Sequence, residues 1–249
     1  MNQDLNDLLR DWPHEPGQIK ARKIVGTDGR EKVQLRIDLG LIQMEINGRP
    51  DGKKPHGCES LLVHHQVLAR EKEGADSRYL LSPEECSEMQ QEGIQYYHRY
   101  ISLFQLNDFA GVIRDTQRNL EMFSFVAKHV DRDDIIASFE QFKPYVLMMN
   151  TRAKAAIELE RDDFSAAERQ ILKGLEKIRD YFGKTHNPEM SANSPEISFL
   201  EEWLEEIRAK RPLSKLEIMQ KEMESAIARE AYERAAELRD AIRAYRKSE

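Results

Sequence analysis

The chain has 249 residues, 40% hydrophobic and 33% charged, enough apolar material for a core but with the polar bias of several small modules. A net charge of -7 and a pI near 5.6 argue against non-specific polyanion binding by the whole molecule, because neutralising phosphates takes clustered positive charge. No apolar run approaches the ~20 residues that a bilayer-crossing helix requires, so no membrane partner is expected. Two cysteines, Cys58 and Cys86, make no disulfide framework, and the first residues lack a basic region followed by an apolar stretch and a cleavage site. The reducing cytoplasm is the expected location.

Leu5, Leu8, Leu9 and Trp12 are spaced as one face of a short helix over residues 1–12, stopped by Pro13. The β-like region follows. Arg22 to Val25, then Val33-Leu35-Ile37-Leu39, then Ile42-Met44-Ile46 alternate apolar and polar residues across Thr27-Asp28-Gly29 and Gly40, which predicts a three-stranded meander. Pro50-Asp51-Gly52 closes it with a turn. A helix from about Glu59 to Glu73, carrying Leu61, Leu62 and Leu68, supplies cover for the sheet together with the first segment, so residues 1–80 read as a small α+β module.

Ser82-Pro83-Glu84-Glu85 is a strong helix start, and residues 81–182 read as a helical domain. The expected helices are 84–106, 108–128, 134–160 and 163–182. Two of them begin alike: Asn107-Asp108-Phe109-Ala110-Gly111-Val112 and Asp162-Asp163-Phe164-Ser165-Ala166-Ala167 put an aromatic just past a turn and small residues where helices cross. This suggests antiparallel, tetratricopeptide-like helix pairs, with an ordinary bundle as the alternative, since the usual Trp and Pro signature and period are missing. Residues 183–212 read as a linker, including His186-Asn187-Pro188, and a connecting helix, 196–210, ahead of a hinge at Arg211-Pro212.

Residues 213–249 carry two apolar stripes at helical spacing. Leu216, Met219, Met223 and Ala226 form the first, and Ala235, Leu238, Ile242 and Tyr245 the second. Their mean directions differ by roughly 100°, more than helical drift gives, so the stretch breaks between Arg229 and Tyr232 into two facing helices although no Gly or Pro marks the turn. Eight basic and eight acidic residues, including the pairs Glu217/Lys221 and Glu230/Arg234, give it a solvated surface rather than a nucleic-acid face. A hairpin under ~40 residues is too small to be stable alone and needs a partner, a second copy or the rest of its chain.

The run Met223-Glu-Ser-Ala226-Ile227, four residues, then Tyr232-Glu233-Arg-Ala235-Ala236-Glu-Leu238-Arg239-Asp240-Ala-Ile242 resembles the UVR motif. That motif is a helical hairpin found in the damage-binding and nuclease subunits of bacterial excision nuclease, in the activator of a protein-arginine kinase and in a Clp-family ATPase. The resemblance implies a protein-docking element without catalytic groups, and at the contact between paired motifs it implies an aromatic ring at Tyr232. Two departures are visible: the usual Phe is Tyr232, and the acidic residue normally before it is Ala231. On this resemblance Met223, Ile227, Tyr232, Glu233, Ala235, Ala236, Leu238, Arg239, Asp240 and Ile242 are the expected partner-binding residues.

Other chemistry is thin. Gly183-Lys184-Thr185 lacks the preceding Gly of a phosphate loop and follows a helix rather than a strand. His56, Cys58, His64, His65 and Cys86 lack zinc spacing, and no metal or other cofactor is expected. Between Gln18 and Gly57, nine Lys or Arg stand against five Asp or Glu, and Arg49, Lys53, Lys54 and His56 make a candidate anion-binding loop. The expected protein is therefore predominantly α-helical within an α+β class. It is expected to be a non-enzymatic adaptor in DNA repair or protein quality control that docks a protein partner or itself through the hairpin. Nucleic-acid binding by the basic module is the first alternative, and an enzyme built on the Asn47 to Gly57 loop the second.

Overall fold

The computed structural model describes residues 5–73, 78–184, 191–213 and 215–248. Its sheet follows from the period-two pattern: β1 (Lys20–Val25), β2 (Glu31–Ile37) and β3 (Gly40–Glu45) form an antiparallel meander in which Val33 pairs with Lys23 and Met44, and Leu35 with Ala21 and Ile42. Val33, Leu35 and Met44 are buried. The opposite face carries a polar ladder, Arg22 Nε donating to Gln34 Oε1 and Gln34 Nε2 to Gln43 Oε1, with Arg22 lying over the Trp12 ring at 4.1 Å. The second strand stops at Ile37 instead of running to Leu39. Ile37 pairs with Gly40, so Asp38 and Leu39 are the two turn residues, and Leu39 is 91% exposed. In the first segment only α1 (Asn6–Leu9) is helical, with Leu5 and Leu8 exposed, and residues 1–4 of the expected helix lie outside the described residues.

Sheet and helices are not separate bodies. α2 (Leu61–Glu73) turns Leu61 and Leu62 into a helical core with Cys86, Met89, Met122 and Phe123, and it is α3 (Pro83–Gln105) that lies on β1 and β2. The expected role of α2 as the sheet's cover thus passes to α3. A polar joint made within α3 and α4 (Phe109–His129) holds the end of the sheet. Arg99 donates through Nε and Nη2 to Asp115 at 2.6 and 2.8 Å and through Nη1 to the carbonyls of Glu45 and Gly48 at 2.9 and 2.8 Å. Arg114 Nη2 adds a bond to the Ile46 carbonyl, while Arg49 turns inward to the fully buried Glu92. Glu92 Oε1 also accepts from the Leu61 amide at the start of α2, and Glu92 Oε2 forms an ion pair with Arg118 Nη2, two atoms otherwise without hydrogen-bond partners.

The 134–160 stretch is two helices, α5 (Asp133–Glu140) and α6 (Lys143–Leu159). Pro144 is the cause: it has no N–H to give and its ring clashes with the carbonyl four residues back, that of Glu140. Tyr181 Oη donates to that carbonyl instead, at 3.1 Å. α7 (Phe164–Lys184) packs along α6, closely enough that a Cβ on Gly174 would come within 2.2 Å of Thr151 Oγ1. α8 (Pro195–Lys210) starts from Ser194, whose Oγ accepts from the Ile197 amide. The expected His186-Asn187-Pro188 loop lies outside the described residues.

The repeated sequence at 107 and 162 is a repeated turn. Asn107 and Asp162 both adopt φ of 57°, Asp108 and Asp163 amides reach back to the Leu103 and Glu158 carbonyls, and the Asp108 and Asp163 side chains then cap α4 and α7 through Gly111 and Ala166 amides. This is a Schellman stop followed at once by an N-cap, which reverses the chain in two residues. The chain as a whole divides into two compact units, Met1–Leu204 and Glu205–Glu249. Its class is α+β and mostly helical. Among the described residues no helix is long and apolar enough to cross a membrane.

Candidate functional site

The second unit contains α9 (Lys215–Ala228) and α10 (Tyr232–Ser248), packed along each other as a hairpin. Ala226, Ala235, Leu238 and Ile242 are buried, and Leu216, Met219, Met223 and Tyr245 half-buried, so both apolar stripes turn inward. The break between them needs no Gly because Glu230 takes the left-handed conformation at φ 59°. Its amide bonds the Ile227 carbonyl at 2.9 Å and the Ala231 amide bonds the Ala226 carbonyl at 2.8 Å. This is the same Schellman stop as at Asn107 and Asp162, followed again by an aromatic residue. One part is missing: Ala231 stands where Asp108 and Asp163 cap, and it has no side-chain acceptor for the first amides of α10. Ala231→Asp is therefore expected to stabilise the hairpin by about 1 kcal/mol, read as slower hydrogen exchange of the α10 amides; unchanged or faster exchange would count against this account of the turn.

The residues expected to bind a partner separate into two sets. Ala235, Leu238 and Ile242 are interior to the hairpin, and Met223 and Ala236 are half-buried at its edge. Ile227 and Tyr232, flanking the turn, are 49% and 66% exposed, and Glu233, Arg239 and Asp240 are also exposed. Arg239 folds onto its neighbour, donating through Nε and Nη2 to Asp240 Oδ1. Arg234 meets Glu237 at 2.9 Å and Glu222 at 3.8 Å across the hairpin rather than the expected Glu230, and Glu217 meets Arg211. Ile218 and Leu213, 44% and 41% exposed, add apolar surface and were not among the expected partner-binding residues. Ile218 lies one residue from Met219 of the first stripe, and its apolar character was the only signal available.

The candidate anion loop loses one of its four residues to the interior. Arg49 lies within 3.2 Å of Glu92 and 3.4 Å of Asp51, leaving Lys53, Lys54 and His56 at the surface. Across the rest of the basic region, Lys20, Lys23, Arg30 and Lys32 have carboxylate partners in Glu15, Asp108, Asp28 and Glu45, and Arg36 is spent on backbone carbonyls. Paired in this way, the charges present a weaker field to phosphate than their number suggests. His56, at φ 50°, stacks on His64 with ring centroids 4.1 Å apart. Burial lowers the pKa of His64, with the neighbouring His56 acting in the same direction. His65 Nδ1 lies 2.7 Å from the Tyr79 hydroxyl, and burial lowers its pKa as well, so the neutral ring is favoured. Cys58 and Cys86 are free thiols. Among the described residues, no group of three or more His, Cys, Asp or Glu is arranged to hold a metal ion.

No curated protein and no solved structure matches the chain. The geometry of the hairpin, two short helices joined by an aromatic-tipped turn, coincides in extent with a match to a family model, that of the UvrB/uvrC motif, at residues 214–248. That motif is found in DNA-repair proteins and mediates protein interactions. The C-terminal hairpin of this chain is a UVR motif.

Proposed function

We propose that the protein is a non-enzymatic, cytoplasmic adaptor whose UVR hairpin docks a protein partner or the same motif of a second copy, in DNA repair or protein quality control. The helical middle, read as tetratricopeptide-like hairpins, is the scaffold that carries it. The observation supporting this reading most directly is Tyr232. Three turns of the chain share one design, yet the ring after the first, Phe109, is buried, that after the second, Phe164, is half-buried, and Tyr232 is 66% exposed. An exposed ring across the turn from exposed Ile227 is the kind of group that a partner buries.

Tyr232→Ala is expected to leave helical content and melting nearly unchanged while weakening association by about 2 kcal/mol, roughly thirty-fold. Self-association is measured by sedimentation, and affinity for partners identified by capture and mass spectrometry is measured directly. Leu238→Ala should weaken both association and the hairpin, because Leu238 lies inside it. A Tyr232→Ala chain that melts early yet binds as before would return the hairpin to a purely structural role.

A further inference from the structure

Within the first unit, α3, α4, α6 and the α5–α6 break enclose a cleft of about 500 Å³. Met122, Phe123, Phe139 and Val146 form its buried floor, and Ile94, Tyr97 and Phe142 stand at its mouth, 49%, 36% and 49% exposed. Phe142 is there because Pro144 breaks the helix and leaves the residue before α6 facing outward. Tyr97 packs edge-on against Tyr100 at 5.5 Å and tilts against Tyr145 at 6.2 Å, so one wall is a run of aromatic faces and edges.

Two features say what fits. First, among the described residues no Asp, Glu, Lys or Arg lines the cleft, in a chain of which 33% is charged. A charged ligand would lose its hydration there with no counter-charge to meet it. Second, although the lining residue Asn119 is committed to the Gly93 carbonyl and Arg118, other polar groups of the cleft are not: among the described residues the Tyr97 and Tyr145 hydroxyls and the His98 ring make no hydrogen bond. Burial lowers the His98 pKa, so the ring is held towards its neutral form, able to donate from one nitrogen and accept at the other. A half-enclosed, mainly apolar volume of this size with a few polar groups is the form that small-molecule sites take. A protein partner resting on the mouth would leave the floor empty, and the lining offers it no charges to set its register.

We propose that this cleft binds one small, uncharged organic molecule with an aromatic body and a hydrogen-bonding group. The site is independent of the hairpin. The test uses the full chain and the neutral fluorophore N-phenyl-1-naphthylamine, followed by its emission on titration. Expected are saturation at one dye per chain and at least tenfold weaker binding in Ile94→Lys, with Phe142→Lys as a second variant; both side chains are exposed, so circular dichroism should report an unchanged fold. The sulfonated relative 1-anilinonaphthalene-8-sulfonate should bind at least tenfold more weakly, and Tyr232→Ala should not alter either dye. Absence of saturable binding, equal binding in the two lysine variants, or sulfonate binding as tight as the neutral dye would overturn the proposal. So would dye binding lost in Tyr232→Ala instead, or a wild-type dimer that binds no dye and dissociates in Ile94→Lys, which would make the cleft an interface between copies.

Discussion

Asp115→Ala is expected to destabilise the first unit by about 3–5 kcal/mol, because it strips a buried guanidinium of its counter-ion. Arg99 and Asp115 are each 1% exposed, and their two-pronged pairing leaves Arg99 Nη1 free to hold the Glu45 and Gly48 carbonyls. Against an ordinary stability of about 5–15 kcal/mol this is a large fraction, corresponding to a fall in Tm of roughly 6–20 °C for a chain of this size. Asp115→Asn, which keeps an acceptor, should lie between the two. Replacing both partners, Arg99→Met with Asp115→Leu, should recover part of the loss by removing the orphaned charge, but not all, since the two carbonyls lose their donor. A change below ~1 kcal/mol in Asp115→Ala would show that the joint between sheet and helices does not depend on this pair.

Phe109→Ala should cost about 3–5 kcal/mol, while Phe164→Ala at the matching turn should cost markedly less and Tyr232→Ala under ~0.5 kcal/mol. The order follows burial. Phe109 is 9% exposed and packs edge-on against Phe104 at 5.5 Å, Phe164 is half-buried, and Tyr232 is mostly in solvent. Denaturant titration of the three variants measures it. Equal losses at Phe109 and Phe164 would make them equivalent anchors, as their shared sequence context suggests; a large loss at Tyr232 would mean that its ring is needed by its own chain.

The repeated turn also shows how a pattern is legible before its meaning is. Asn107-Asp108-Phe109 and Asp162-Asp163-Phe164 stand out because Asn and Asp tolerate the left-handed conformation and Asp caps the next helix. Arg229-Glu230-Ala231-Tyr232 hides the same turn, since Glu is a poor left-handed residue and Ala cannot cap. Its position had to be inferred from the two stripes on either side.

What the sequence determined by itself is local. Strand alternation from Lys20 to Glu45, the Ser82-Pro83-Glu84-Glu85 start and the hairpin's two stripes are periodicities and caps, decided within a few residues, and the UVR resemblance is readable for the same reason. Tertiary structure decided which surfaces meet. Charge composition could not tell that Arg49 would be drawn to Glu92 or Arg99 to Asp115, because a basic residue reads alike whether it faces solvent or a buried carboxylate far along the chain. Nor could periodicity show that Pro144 would break a helix and, with Ile94 and Tyr97, leave Phe142 at the mouth of an uncharged cleft. Such a cleft is assembled from four elements separated in sequence, and its shape exists only once they pack.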